Sequence, residues 1–147
     1  MQLSNKIIDG KSIANSIKEE LTLKISNMKL SHNIVPGLAV VLVGNRTDSS
    51  TYVRMKKQAA IDIGMNFVLK EYDENITHDE LLSEVRSLNN NPLIHGLIVQ
   101  LPLPSHIHEQ SILNEVSSYL VYKFDDTIWY IISLSELLKL NDEFFFI

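Results

Sequence analysis

The chain has 147 residues, 45% of them apolar and 21% charged, which suits one domain with a real core and excludes a disordered chain. The formal net charge is -5, and the basic residues are scattered with only Lys56 and Lys57 adjacent, so no phosphate-tracking stripe exists and a nucleic-acid partner is not expected. There is no cysteine, which excludes disulfides and thiolate metal sites and fits a reducing compartment.

The opening MQLSNKIIDGKSIANS has no apolar core of signal-peptide length. Asp9-Gly10-Lys11 then opens a helix. Its apolar stripe is Ile13, Ile17, Leu21, Ile25 and Met28, and Ser31-His32-Asn33 ends it. Pro36-Gly37 introduces the unbroken apolar run of residues 38–43 (LAVVLV), which suits a parallel strand covered on both faces. A loop over residues 44–48 leads into a helix over residues 49–64, with Asp48 or Ser49 as its cap and Gly64 at its end.

Residues 66–72 read as a second strand. Thr77 and Glu80 form a capping box, and Leu81, Leu82, Val85 and Leu88 are the buried stripe behind it. After the turn at residues 89–92, residues 93–101 (LIHGLIVQL) read as a third strand, stopped by Pro102 and Pro104. Residues 107–116 read as a short helix. Residues 128–140 are apolar but interrupted by Glu136, and fall short of the roughly 18 apolar residues of a spanning helix. The expectation is a cytoplasmic protein with no membrane partner.

This order predicts the α/β class: a three-layer α/β/α domain with a mostly parallel sheet and right-handed crossovers. Ligands bind such sheets outside the carboxyl ends of the strands. The loop after Val43 and the side chain of Gln100 converge there.

One residue of the 49–64 helix stands out. Arg54, Gln58 and Asp62 share an ordinary solvated face, whereas Lys56 falls in line with Tyr52, Ala59 and Ile63 on the inward face. A lysine that loses hydration is suited to proton transfer or electrostatic catalysis. The alternative is a lysine that snorkels past the core edge to water. Tyr52, one turn away, can stack on or orient a flat heteroaromatic ligand or serve as a core-edge aromatic. Gln100 offers the donor and acceptor that a heterocycle edge requires, or simply ends a strand.

His95, inside an apolar strand, reads as a satisfied core histidine. His106 and His108 have no acidic or sulfur ligand at suitable spacing, so no metal site is expected. No GxGxxG, GxxxxGK[ST] or GxSxG occurs, so nothing local predicts a phosphate cradle or a serine nucleophile.

Two segments together carry a family likeness. Residues 36–64 (PGLAVVLVGNRTDSSTYVRMKKQAAIDIG) contain a PGLA-type strand, then VG, then SxxYVxxK with a glycine at the helix end. Residues 96–104 (GLIVQLPLP) follow at the matching distance. This pairing resembles the bifunctional methylenetetrahydrofolate dehydrogenase/methenyltetrahydrofolate cyclohydrolase family, whose second signature is G[IL][IL]VQLPLP and whose start includes DGK. The resemblance implies that residues 1–122 are the folate-binding catalytic domain. It implies Lys56 as the catalytic lysine, Tyr52 stacking on the folate, and Gln100 positioning Lys56. Ser49, Asp126 and Pro102 join Tyr52 and Gln100 as substrate-binding residues. The family oxidises 5,10-methylene-tetrahydrofolate with NAD(P), then hydrolyses the methenyl product to 10-formyl-tetrahydrofolate.

Residues 123–147 depart from the family pattern. The family's KDVDG is here Lys123-Phe124-Asp125-Asp126-Thr127, which keeps Asp126 at the pterin-binding position but replaces the glycine. No PCTP segment and no dinucleotide fingerprint follow, and the sequence ends on three phenylalanines and Ile147. The expectation is a chain with no NAD(P) site of its own, for which only the cyclohydrolase step is open. A homodimer or a separately encoded NAD(P)-binding domain is the candidate partner. The competing reading is a non-catalytic, degenerate folate-binding remnant that serves as an interaction module.

Overall fold

A computed structural model describes residues 9–116 of the chain. Helix α1 (Gly10–His32) begins where the Asp9 carboxylate accepts a hydrogen bond from the Ser12 backbone at 3.0 Å. It ends at Asn33, whose left-handed backbone (φ 55°) lets its N–H reach the Lys29 carbonyl. Only part of the expected stripe is used. Leu21 and Ile25 are buried, Ile17 and Met28 are half-buried, and Ile13 is exposed. Length explains this: 23 helical residues span about 34 Å, whereas the seven-residue strand beneath spans about 23 Å.

Strand β1 (Gly37–Val43) is buried at all seven positions. It sits at the centre of a parallel sheet ordered β2-β1-β3, between β2 (Asn66–Tyr72) and β3 (Gly96–Val99). Leu38 pairs with Phe67 on one side and Gly96 on the other. From β1 the chain steps outward to β2, then back across β1 to β3. Right-handed crossovers in opposite directions place the connecting helices on opposite faces.

The core divides accordingly. Leu38, Val40 and Leu42 pack with Leu21 and Ile25 of α1 and with Val53, Ala60 and Ile63 at helix α2 (Thr47–Asp62). Ala39, Val41 and Val43 pack with Leu81, Val85 and Leu88 of helix α3 (His78–Asn89) and Ile112 of α4 (Glu109–Glu115). These are the three expected layers.

Two local expectations need correction. The third strand is four residues long, not nine, because the Asn91 side chain and carbonyl claim the N–H groups of Leu93 and Ile94 in a turn. Leu93 is accordingly exposed while Ile94 is buried. Helix α2 begins at Thr47, and no side chain at its N-cap position, Arg46, makes a capping bond. Asp48 lies inside the first turn, where it accepts from the Ser49 N–H at 2.8 Å. At the other end Gly64 (φ +88°) donates to the Ile61 carbonyl and Met65 to the Ala60 carbonyl, a Schellman closure. The capping box is formed as expected, with Thr77 and Glu80 each bonding the other's backbone N–H.

Candidate functional site

The reversal of direction at β1 makes the gap between the carboxyl ends of β1 and β3 a topological switch point. Helix α2 starts from one side of that gap, after Gly44, and Gln100 follows β3 on the other. On α2, Ser49, Tyr52 and Lys56 are spaced three and four apart and share one face. Ser49 and Lys56 are the buried polar residues among those described, at 3% and 4% exposure. Tyr52 is half-buried.

Lys56 does not snorkel. Its Nζ donates to Gln100 Oε1 at 3.3 Å and lies 5.7 Å from the centroid of the Tyr52 ring, close enough for a cation–π contact. A buried ammonium needs such partners, since water no longer solvates it. Gln100 is held at both ends. Its backbone N–H donates to the Val41 carbonyl at 2.9 Å, and its side-chain Nε2 donates to the Leu101 carbonyl at 2.9 Å. The second bond decides which end of the amide faces Lys56: with Nε2 committed, Oε1 is presented to the amine. Leu101 is exposed, and so is Pro102, which follows a cis peptide bond.

Ser49, Tyr52, Lys56 and Gln100 are therefore carried to one strand end, with Pro102 following Gln100 in the chain. Asp126, with the rest of the 123–127 segment, lies outside the described residues, as do residues 128–140 and the phenylalanine tail.

The carbonyl of Leu101 was not singled out in the sequence, because a backbone group carries no residue-type signal. Nor was the fork at the start of α2, where Arg46 Nε and a terminal guanidinium nitrogen donate to the two Asp48 oxygens at 3.1 and 2.7 Å. The Arg46 hydrogen bond, reinforced by the Ser49 N–H, holds the Asp48 carboxyl at about 2.

Three histidines do structural work. His95 Nδ1 accepts from the Gly37 N–H at 3.0 Å, His108 Nδ1 accepts from the Ser111 N–H at 3.2 Å, and His106 Nε2 lies 2.9 Å from the Ile76 carbonyl. No group of three metal-ligating side chains occurs among the described residues.

The start of α2 also bears on dinucleotide binding. A pyrophosphate needs a glycine-rich turn and open N–H groups at a helix N-terminus. Here Asp48 already places a carboxylate on that turn, and Gly44 spends its N–H on the Tyr72 carbonyl at 2.9 Å. The start of α2 does not fit the pyrophosphate of NAD(P).

Residues 8–119 match the family profile described as tetrahydrofolate dehydrogenase/cyclohydrolase, catalytic domain. Among curated relatives, the chain is 49% identical over 111 residues to Bifunctional protein FolD 4, chloroplastic, of Arabidopsis thaliana, covering 76% of this chain and 31% of that protein. It is 44% identical over 110 residues to Bifunctional protein FolD of Lawsonia intracellularis, covering 75% and 37%. The crystal structure of the bifunctional FolD methylenetetrahydrofolate dehydrogenase/cyclohydrolase from Campylobacter jejuni superposes with a TM-score of 0.73 at 43% identity, over 75% of this chain and 39% of that one. The Trypanosoma brucei enzyme, solved with NADP cofactor and an inhibitor, gives 0.72 at 36% identity, over 76% and 38%. The chain thus spans between three-tenths and two-fifths of the length of these relatives.

Proposed function

The chain belongs to the tetrahydrofolate dehydrogenase/cyclohydrolase family through its catalytic domain, and from that premise we propose that its site binds a tetrahydrofolate one-carbon derivative and hydrolyses the 5,10-methenyl form to 10-formyl-tetrahydrofolate. The observation that carries this reading is the buried Lys56 amine, bonded to Gln100 and set against the Tyr52 ring.

The reaction needs little more. The methenyl carbon between N5 and N10 carries the positive charge of an amidinium. A water oxygen adds to it and gives up a proton. The bond from that carbon to N5 then breaks as N5 takes a proton and the new hydroxyl loses its remaining one, leaving the formyl group on N10. One water enters and one proton leaves. Lys56 Nζ is assigned the proton transfers between the attacking water and N5. Gln100 Oε1 fixes Nζ in place, and Tyr52 packs on the flat part of the folate. Ser49 and Pro102 line the substrate, and Asp126 takes the pterin contact. The domain that carries Ser49, Tyr52, Lys56, Gln100 and Pro102 is residues 1–122, and Asp126 joins the site from the segment that follows.

Hydride transfer requires an NAD(P) acceptor, whose pyrophosphate the start of α2 does not fit. A second copy of the chain or an NAD(P)-binding domain is the proposed partner. Among the described residues no helix is long and apolar enough to cross a membrane, and a cytoplasmic location is proposed.

The test is the loss of methenyl absorbance with 5,10-methenyl-tetrahydrofolate, comparing the purified chain with Lys56→Met. Hydrolysis above background that the variant lacks supports the reading. Equal rates overturn it and leave a chain that keeps the architecture of the site but needs a further domain, or one that is no longer an enzyme.

A further inference from the structure

We infer that His95, just before β3 and at the end of that strand away from the amine, is a positioning residue for the site: as the Nε2–H tautomer it pins β3 to β1 and so sets Gln100 against Lys56. The inference rests on the proposed role of Lys56 for its kinetic consequences only.

Strand β3 has four residues, so its own ladder is short. A one-residue slip would move every side chain by about 3.3 Å and turn it to the other face, which the buried positions of Leu97 and Val99 oppose. That shift equals the whole reach of the Lys56–Gln100 bond, which is 3.3 Å. Bonds at the two ends of β3 add to that hold and fix its position along β1. At the carboxyl end the Gln100 N–H donates to the Val41 carbonyl at 2.9 Å. At the amino end the bonding is reciprocal. The His95 N–H donates to the Gly37 carbonyl at 2.7 Å, and the Gly37 N–H donates to His95 Nδ1 at 3.0 Å.

The second of these bonds is unusual, because a side chain takes an N–H of the central strand. It requires a lone pair on Nδ1, so the ring proton resides on Nε2. Gly37 makes the approach feasible. A Cβ there would run into the Leu93 carbonyl oxygen, and it would lie 3.6 Å from His95 Nδ1. Gly37, Leu93 and His95 therefore form one tight junction in which only glycine fits and only an acceptor satisfies the glycine N–H. The position of Gln100 is set from this junction through four residues of extended chain.

The variants are His95→Asn, whose side-chain oxygen can take the place of Nδ1, and His95→Leu, which has no acceptor. Two readouts apply. The first is NMR of the wild-type chain, with the imidazole nitrogens and the Gln100 side-chain amide assigned. An unprotonated Nδ1 and a protonated Nε2 are expected. The Gln100 amide resonances should hold in His95→Asn and shift toward free-amide values in His95→Leu. The second is methenyl hydrolysis. His95→Leu should lower kcat by roughly 10–100-fold with KM changed by less than about threefold, the signature of a displaced working group rather than of lost binding. His95→Asn should recover most of that loss.

A wild-type ring protonated on Nδ1 overturns the inference, and so does a His95→Leu variant with unshifted Gln100 resonances. If His95→Leu does not fold, the wild-type tautomer and the His95→Asn spectrum still decide. If the wild type shows no Lys56-dependent hydrolysis, the functional reading fails while the NMR arms still test the pin.

Discussion

Lys56 Nζ and Gln100 Oε1 are 3.3 Å apart although 44 residues separate them in the chain. The bond joins the helix after β1 to the end of β3, across the switch point of the sheet. Gln100 contributes here through Lys56, which makes their substitutions non-additive. Lys56→Met should abolish hydrolysis and leave stability unchanged or raised by about 1–2 kcal/mol, since an apolar chain of similar size replaces a buried amine. Gln100→Leu should lower kcat by roughly 10–100-fold, as expected when a working group drifts by about 1 Å. The double variant should be no slower than Lys56→Met alone. Stopped assays and urea midpoints of the four proteins check this, and additive losses would show that Gln100 acts independently of Lys56.

Two glycines should respond differently to alanine. At Gly37 the added methyl meets a backbone carbonyl, that of Leu93, which cannot rotate away. Gly37→Ala should therefore cost roughly 1–3 kcal/mol, as overpacking does, and disturb β3. At Gly64 there is room, with the nearest atom, on Ile25, at 3.6 Å, but the backbone is at φ +88°. Gly64→Ala should cost roughly 1–2 kcal/mol through the left-handed conformation alone. Thermal melts give both totals. The Lys56-dependent rate separates them further, because only Gly37→Ala acts on the strand that carries Gln100.

The contrast between these sites also shows what a sequence can reveal. Strand β1, strand β2 and the three-layer order were legible because apolar runs and helical stripes are local patterns. The inward phase of Lys56 was legible for the same reason, as was the capping box. The length of β3 was not, because Leu93 is apolar yet lies in a turn that Asn91 closes. The start of α2 was misplaced because Asp48 bonds from within the first turn, where its residue type suggests a cap. Tertiary bonds were the least accessible. That His95 is satisfied could be read from its apolar setting, but not that its partner is the Gly37 N–H.

The capping box at α3 gives a pH-dependent prediction. Hydrogen bonds from the Thr77 backbone N–H and then from its hydroxyl hold the Glu80 carboxyl below its ordinary value of 4.5. A lowered carboxyl stabilises the fold above its unfolded pKa, and the contribution is lost as pH falls through the folded value. Thr77→Ala removes the hydroxyl and should cost about 1 kcal/mol at neutral pH. It should also move the Glu80 titration, followed by carboxyl NMR, toward 4.5. An unmoved titration would mean that the backbone bond alone sets the shift.

The Arg46–Asp48 fork separates local order from catalysis. Asp48 is lowered from 3.8 to about 2, first by the Arg46 hydrogen bond and then by the Ser49 N–H. The sign is that of a depressed carboxyl: its contribution is complete above 3.8 and disappears as pH falls through about 2. The Ser49 amide proton donates to this carboxylate, so its chemical shift should titrate near pH 2 with Asp48. In Arg46→Met that midpoint should rise toward 3.8, and added salt should raise it in the wild type. Both partners are more than half exposed, so the pair adds little to stability. Hydrolysis at neutral pH should therefore stay within about twofold of wild type in Arg46→Met, because Ser49, Tyr52 and Lys56 are held by their buried face rather than by the fork. A larger loss would place Arg46 in contact with the substrate.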